Sequence, residues 1–344
     1  MGFMAKRKLN RRQSWRIQKV QDERNKRAER RDAKADETLN STDLGAEQLG
    51  LVIAHYGTQV DIETLEGSNA GIVQRAHIRA NVDALVTGDK VVWRPGNPTG
   101  VVVAMQERES ILQRPDSRGL LRPVAANINF LVITFAPEPT PYANLIDRYL
   151  VAAEHSGLEP VLLLNKTDLI TDDNREQLND MLQIYEDVGY RLIRASTKNE
   201  QGMSELTELL QNNISVFVGQ SGVGKSSLIN TLLPDSDIKV GELSEATAKG
   251  KHTTTTAKLF HIPSGGDLID SPGIREFGLW HMEPEDIAAG YVDFEPFLGF
   301  CKFRDCSHNE DPGCALQAAV ADGTLSERRL TSYHHLVGSL SELD

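Results

Sequence analysis

Residues 214–233, ISVFVGQSGVGKSSLINTLL, place an apolar run, a glycine-rich turn and a second apolar run next to one another. The turn at 219–226 has the spacing G-x-x-x-x-G-K-[ST]. The run before it predicts a buried strand and the run after it predicts a helix. Glycines in such a turn let backbone N–H groups curl around phosphate oxygens at a helix N-terminus. A chance glycine-rich turn is the alternative, but the flanking strand and helix favour an α/β domain that binds phosphates.

Each residue of this turn has an expected role. Lys225 can reach the β- and γ-phosphates and is a candidate catalytic cation, while the Ser226 hydroxyl can ligate Mg²⁺. We expect the nucleotide to be held by the whole stretch, which comprises Gly219, Gln220, Ser221, Gly222, Val223, Gly224, Lys225, Ser226 and Ser227.

A second phosphate motif follows downstream. Asp270-Ser271-Pro272-Gly273 ends another apolar run, GDLID at 266–270. An Asp at the end of that strand can orient a magnesium-bound water, and Gly273 can offer its N–H to the γ-phosphate. D-x-x-G alone is a frequent pattern, but it becomes a strong signal at this spacing after a phosphate-binding turn.

Upstream residues predict which base is bound. Asn165-Lys166-Thr167-Asp168 ends the apolar run PVLLLN. The Asp168 carboxylate can accept hydrogen bonds from the N1–H and N2 amine of guanine, and adenine offers neither donor there. A base without these donors would leave the carboxylate unpaired, and the free-energy cost of that unpaired group discriminates steeply against the wrong base. Ser196, in Ala195-Ser196-Thr197-Lys198, is typical of the accompanying base-contact loop.

These motifs occur in an unusual order, because the guanine motifs precede the phosphate motifs. A circular permutation explains the order, since it moves the chain ends and leaves the sheet unchanged. Apolar runs of strand length alternate with helical segments from about residue 128 to residue 270. That alternation predicts parallel strands with crossover helices, and therefore a three-layer α/β domain.

The segment before this domain predicts a small barrel. Five β-rich runs separated by turn residues lie between residues 49 and 106, and an OB-fold is the leading interpretation. Trp93 could be a base-stacking platform, although packing inside a strand is the more common role. The expected domains are a basic, disordered tail at 1–42, an RNA-binding OB-fold at 43–113, a permuted GTPase domain at 114–280 and an α-helical zinc-binding domain at 281–344.

All three cysteines of the chain lie close together, at Cys301, Cys306 and Cys314, with His308 among them. An odd, clustered set argues against a disulfide framework. Three thiolates and one imidazole are suited to a closed, tetrahedral structural zinc site. Buried thiols with an exposed His308 are the alternative.

Charge is distributed unevenly along the chain. The net charge of -12 combines a balance of +7 in residues 1–37 with -19 in the remainder. A basic arm on an acidic body is typical of a tail that binds polyanions, and a solvated tail without a partner is an equally weighted alternative. No uncharged apolar stretch approaches the ~18 residues of a spanning helix, and the basic N-terminus lacks the apolar segment of a secretory signal. We expect a cytoplasmic protein without a membrane partner.

Together, the permuted order, the upstream barrel, GKHTTT at 250–255 and DSPGIREFGLW at 270–280 resemble the RsgA (YjeQ) family of GTPases that depend on the small ribosomal subunit. The resemblance spans about residues 45–335 and strengthens the zinc assignment. It implies an OB-fold, a permuted GTPase and a zinc domain that act in late maturation of that subunit. It also implies a monomer that binds rRNA and has weak intrinsic GTPase activity, stimulated by the subunit. Hydrolysis to GDP and phosphate would promote release.

Two other classes of function are alternatives. An RNA-binding scaffold could use GTP only as a structural ligand, and it would differ from a GTPase in its turnover of GTP. A P-loop ATPase or kinase is disfavoured by Asn165 and Asp168.

The threonine-rich segment at 252–255 is expected to complete the magnesium site. Thr253 or Thr254 is the expected second protein ligand of Mg²⁺, beside Ser226 and Asp270. Many GTPases orient the attacking water with a Gln just after D-x-x-G, but here that position is Ile274. The imidazole of His252 is our hypothesis for the missing catalytic group. A contact with RNA or solvent is the alternative role for this side chain.

Overall fold

The computed structural model describes residues 44–115, 120–198, 200–234, 257–270 and 282–341. The predicted tail at 1–42 lies outside these ranges. Within them, no helix combines the length and the apolar character needed to cross a membrane. The chain folds into two compact units.

The first unit is a five-stranded barrel. Its strands run β1 to β5 in chain order, and their spatial order is β1-β2-β3-β5-β4, with β4 pairing back to β1. The β3–β5 pair is parallel, whereas β2–β3, β4–β5 and β1–β4 are antiparallel. Pairing of the last strand with the first closes the barrel and leaves no edge unpaired. The strands are β1 (Gln48–His55), β2 (Gln59–Thr64), β3 (Val73–Ile78), β4 (Lys90–Arg94) and β5 (Gly100–Met105).

Trp93 fills the barrel interior. Its residue exposure is 1%, so packing, and not base stacking, is its role. Two glycines make room for the indole: a Cβ at Gly50 would lie 2.6 Å from the indole nitrogen, and one at Gly100 would lie 2.7 Å from a ring carbon. Both distances are shorter than a carbon can approach without displacing its neighbour.

A hairpin that the sequence patterns did not predict precedes the α/β sheet. Strands β6 (Ile111–Pro115) and β7 (Leu121–Ala126) pair antiparallel in a separate two-stranded sheet. Leu112 and Ala125 are buried, whereas Leu121 is 53% exposed. The predicted domain boundary at residue 113 would fall inside this hairpin. Arginine and proline interrupt the apolar alternation along both strands, which explains why the pattern gave no signal.

The second unit is built on a sheet with the order β10-β9-β8-β11-β13-β12. All neighbours in it are parallel except β12, which pairs antiparallel with β13. This confirms the predicted α/β class. The strands are β8 (Phe130–Phe135), β9 (Glu159–Leu164), β10 (Arg191–Arg194), β11 (Ile214–Val218), β12 (Lys258–His261) and β13 (Asp267–Asp270). The helices are α1 (Ala143–Ser156), α2 (Asp172–Val188), α3 (Glu200–Leu210) and α4 (Lys225–Leu232).

Helices follow the sheet in the C-terminal region, as predicted. They are α5 (Pro284–Ala289), α6 (Ala315–Ala321) and α7 (Glu327–Ser341). Three buried aromatic side chains form the centre of this region. The ring centroids of Tyr291 and Phe294 lie 4.6 Å apart, and Tyr333 meets both rings edge-on at 6.0 and 5.7 Å. Aromatic pairs at these separations are favourable geometries and fix α7 against the preceding helical turn.

A buried ion cluster joins α1 to the C-terminal helices. Arg329 of α7 is paired with Asp147 of α1 and donates to Asp293 at 2.7 Å. The Arg329 and Asp147 side chains are only 2% and 1% exposed. Burial raises the pKa of the Asp147 carboxyl, and the positive charge of Arg329 opposes that shift. The guanidinium also lies 4.4 Å from the centroid of the Tyr291 ring.

We expect Arg329→Met to lower the free energy of unfolding by about 3–5 kcal/mol, because it leaves the buried Asp147 carboxylate, and Asp293 beside it, without their cation. Urea denaturation monitored by circular dichroism would measure the change. Ser339→Ala is the matched control, since Ser339 lies on the same helix and accepts a 3.3 Å hydrogen bond from the less buried Arg148. A loss below about 1 kcal/mol for Arg329→Met, as for an exposed pair, would contradict this account of the cluster.

Candidate nucleotide and metal sites

The predicted nucleotide motifs meet at one edge of the parallel sheet. Residues 219–226 follow β11, Asp270 ends β13, residues 165–168 follow β9, and Ser196 follows β10. Because β10, β9, β8, β11 and β13 are parallel, their carboxyl ends share this edge. Ligands of open α/β sheets bind outside the carboxyl ends of the strands. The permuted chain order therefore still brings the motifs to one place.

The phosphate-binding turn is held close to β8. Gly219 has φ +137°, and a Cβ there would lie 2.0 Å from the carbonyl oxygen of Thr134. Only glycine allows this approach. The Lys225 ammonium lies over the turn and donates to the carbonyls of Gly219 and Gln220, both at 2.6 Å. A lysine in this position can exchange carbonyl oxygens for phosphate oxygens.

Two residues of the N-K-x-D motif contact the phosphate-binding turn directly. The buried Asn165 amide donates to the Val223 carbonyl at 2.8 Å. The Lys166 ammonium donates to the carbonyls of Gly222 at 2.6 Å and Glu138 at 3.2 Å. Lys166 itself has φ +55°, in the left-handed region. These contacts join the base-contact loop after β9 to the phosphate-binding turn.

Asp168 is oriented by the loop after β10. Ser196 donates to one carboxylate oxygen at 2.6 Å, and Lys198 donates to the other at 2.6 Å. The hydrogen bond from Lys198, and then that from Ser196, hold the pKa of Asp168 below its usual value. The carboxylate is therefore ionised at neutral pH and acts only as an acceptor. Its side chain is 20% exposed, which leaves it accessible to a ligand.

Lys198 is the site residue that the sequence prediction missed. The sequence pattern predicts a base-contact loop at Ala195-Ser196-Thr197-Lys198, but it assigns only Ser196 to the site. The signal was available, because Lys198 lies two residues after Ser196 and its backbone N–H donates to the Ser196 hydroxyl at 3.1 Å. That bond closes a short turn and places both side chains on Asp168.

Several predicted residues lie outside the described part of the chain. Gly273, the magnesium candidates Thr253 and Thr254, and the catalytic candidate His252 all fall there. Ser226 and Ser227 are at the start of α4, where the first turn follows Gly224. Their roles and that of Asp270 stay predictions.

The four predicted metal ligands converge. The Sγ atoms of Cys301, Cys306 and Cys314 lie 3.5, 3.6 and 3.4 Å from Nδ1 of His308. All four ligand atoms lie within 4.8 Å of one another. A tetrahedral ion with bonds of ~2.3 Å to sulfur and ~2.1 Å to nitrogen would place each sulfur about 3.6 Å from the nitrogen, as observed for the three Sγ atoms and Nδ1 of His308. The donor set therefore fits zinc in both chemistry and size.

The surrounding backbone supports this arrangement. The His308 carbonyl accepts a 2.8 Å hydrogen bond from His334 of α7, and the Ala315 N–H points at Cys301 Sγ at 3.4 Å. Burial lowers the pKa of His308, which keeps the imidazole neutral and able to coordinate. Burial also raises the pKa of the Cys306 thiol to about 12, so a cation is needed to hold it as a thiolate.

Comparison with known proteins points to one family. The family model described as RsgA GTPase matches residues 105–280. The chain is 59% identical over 342 residues to the small ribosomal subunit biogenesis GTPase RsgA of Ectopseudomonas mendocina, covering 99% of this chain and 100% of that protein. It is 57% identical over 342 residues to the protein of the same name from Pseudomonas aeruginosa, with the same coverage.

Solved structures agree with this result. YjeQ from Thermotoga maritima superposes with a TM-score of 0.71 at 28% identity, covering 86% of this chain and 99% of that one. YloQ, described as a circularly permuted GTPase, superposes with a TM-score of 0.69 at 27% identity, covering 87% and 96%.

Proposed function

Because the chain belongs to the RsgA GTPase family, we propose that it binds the small ribosomal subunit, assists its late maturation and hydrolyses GTP to GDP and phosphate there. Subunit binding stimulates hydrolysis, and hydrolysis promotes release. The observation that supports the guanine-specific enzyme best is the placement of Asp168 beside Ser196 and Lys198, at the sheet edge that carries the phosphate-binding turn. Steady-state GTP hydrolysis with and without purified small subunits tests the proposal.

The base site contains a hydrogen-bond acceptor whose position is fixed by neighbouring side chains. Asp168 accepts from the guanine N1–H and N2 amine, while Ser196 and Lys198 keep the carboxylate in place. Lys166 has a left-handed backbone conformation, which turns the chain toward the base. The N–H of the next residue, Thr167, donates a hydrogen bond to the Ala195 carbonyl at 3.2 Å. This bond ties together the two loops that carry the base contacts.

The phosphate site surrounds the β- and γ-phosphates. Backbone N–H groups of 219–227 bind the phosphate oxygens, and Lys225 neutralises charge that develops on the transferred group. Mg²⁺ would be held by Ser226 and by Thr253 or Thr254, with Asp270 orienting a bound water. Gly273 offers its N–H to the γ-phosphate. When bound there, Mg²⁺ would supply positive charge to neutralise the phosphate oxygens.

Zinc is the ion we assign to Cys301, Cys306, His308 and Cys314. A closed set of four protein ligands leaves no open position for substrate, which is typical of structural and not catalytic zinc. The ion would hold the loop between α5 and α6 against α7.

The protein acts as a cytoplasmic monomer whose partners are 16S rRNA, ribosomal proteins, GTP and GDP. The barrel and the basic tail at 1–42 are the surfaces we assign to RNA. The tail's charge of +7 over residues 1–37 suits a phosphate backbone.

His252 is the group we assign to orientation of the attacking water, since Ile274 has no hydrogen-bonding side chain. We expect His252→Ala to lower subunit-stimulated hydrolysis by about 100-fold, the lower end of acid–base contributions. GTP affinity and subunit binding should stay within about twofold of wild type, because the variant keeps the base and phosphate contacts.

His261→Ala is the matched control for this variant. His261 is exposed and is paired with Asp267 on the neighbouring strand at 2.6 Å, so its loss should leave stimulated hydrolysis unchanged. Phosphate release in a steady-state assay measures both variants. Full stimulated turnover by His252→Ala would remove His252 from the catalytic step and leave it an RNA or solvent contact.

A further inference from the structure

A cavity of about 280 Å³ lies within the second unit. Helix α2 forms one wall, the segment between β8 and α1 forms a second, and the start of α7 forms a third. Its size is just below the ~300–1,000 Å³ of ordinary ligand pockets. A single ring system with one polar group would fill it.

The walls are apolar on one side and charged on the other. Leu178, Met181 and Ile184 of α2 supply aliphatic and thioether surface, and Tyr185 supplies a ring. The cavity is also lined by three charged residues, Arg328, Arg329 and Asp147. Arg329 is paired with Asp147 and Asp293, whereas Arg328 is exposed at the start of α7. A ligand with an apolar body and an anionic end matches this division.

One wall of the cavity is also part of the nucleotide site. Pro137, Thr140 and Pro141 line the cavity. In the same segment, the Glu138 carbonyl accepts a 3.2 Å hydrogen bond from the Lys166 ammonium. Pro139 lies 3.7 Å from the position that a Cβ would occupy on Gly222 of the phosphate-binding turn. A group that packs against residues 137–141 therefore presses on the segment that supports both Lys166 and the turn.

We propose that this cavity is a binding site for small aromatic carboxylates and that its occupation changes nucleotide affinity through residues 137–141. The ring lies against Leu178, Met181 and Ile184, and the carboxylate is paired with Arg328. None of the residues that line the cavity is one we assign to the base, the phosphates or RNA, so the inference does not rest on the proposed role on the ribosome.

Naphthalene-2-carboxylate is a suitable probe, and NMR of methyl groups is a suitable readout. The expected Kd is about 1 mM, given the ligand efficiency of a compound with about thirteen heavy atoms. Shifts should be largest for the methyl groups of Leu178, Met181 and Ile184, which line the apolar side of the cavity. Naphthalene-2-carboxamide and the Arg328→Ala variant should each weaken binding about tenfold, because both remove the charge-assisted pair.

Gln177→Trp should block the site, since Gln177 is an exposed lining residue and the indole would close the opening. Glu176→Trp is the matched control, because Glu176 is the exposed neighbour outside the lining. GDP affinity, measured with saturating probe, should change at least twofold in wild type and in Glu176→Trp but not in Gln177→Trp. No methyl shifts at about 10 mM probe, tenfold above the expected Kd, would overturn the site. Unaltered GDP affinity with the probe bound would overturn the coupling.

Discussion

Wild-type protein is expected to purify with one zinc ion per chain. The Cys306→Ala variant is expected to carry no zinc, and its C-terminal region is expected to be unfolded. Zinc binding at such sites contributes on the order of 10 kcal/mol to local folding. The loop has few apolar contacts of its own, since Phe300 and Phe303 are 77% and 47% exposed. His308, however, lies 6.1 Å from the Tyr333 ring in the aromatic cluster. Loss of the ion should therefore loosen α7 as well as the loop.

Metal analysis by mass spectrometry measures the zinc content, and limited proteolysis locates the unfolded segment. Ser307→Ala is the matched control. Ser307 lies between the ligands Cys306 and His308, and its hydroxyl donates a hydrogen bond to Asp311 at 2.7 Å. This control should keep its zinc and resist proteolysis. Cys306→Ala should retain GTP binding, because the base and phosphate contacts do not involve the metal loop. Wild-type protein without zinc, folded through residue 341, would contradict the assignment.

Asp168→Asn should change the preferred base from guanine to xanthine. The amide can donate to the carbonyl that replaces the guanine N2 amine, and it can no longer accept from both guanine donors. A site built to hydrogen-bond its substrate rejects a mismatched partner by about 10⁴-fold, so the ratio of GTP to XTP affinity should fall by roughly that order. Competition binding with labelled nucleotides measures the ratio.

Lys198→Met separates base choice from carboxylate positioning. It removes the 2.6 Å ion pair with Asp168 but leaves the acceptor oxygens in place. Both nucleotides should bind more weakly, while guanine stays preferred. Unchanged GTP affinity in Asp168→Asn would remove Asp168 from the base site.

Much of the α/β unit could be predicted from the sequence, because its strands are short apolar runs that alternate with helical segments. The strand predicted before the phosphate-binding turn, ISVFV, coincides with β11 at Ile214–Val218. The five barrel strands were also predicted, since glycine and proline mark the turns between them. The Cys and His spacing predicts a metal site, and the structure places the three sulfur atoms 3.4–3.6 Å from Nδ1 of His308.

Features that depend on long-range contacts could not be predicted. Arg329 is 182 residues from Asp147 in the chain, and an arginine in a helical pattern is ordinarily assigned to the surface. The β6–β7 hairpin lacked an alternating pattern. The contacts of Asn165 and Lys166 with the phosphate-binding turn depend on the sheet order, which no local pattern encodes.

Phosphate release from GTP in the presence of purified small ribosomal subunits tests the central claim most directly. We expect turnover to rise at least tenfold over the protein alone, with no such rise on addition of large subunits. Lys225→Ala should abolish both rates, because it removes the cation that reaches the β- and γ-phosphates. Equal turnover with and without small subunits, in a preparation that binds GTP and carries zinc, would contradict the proposed function.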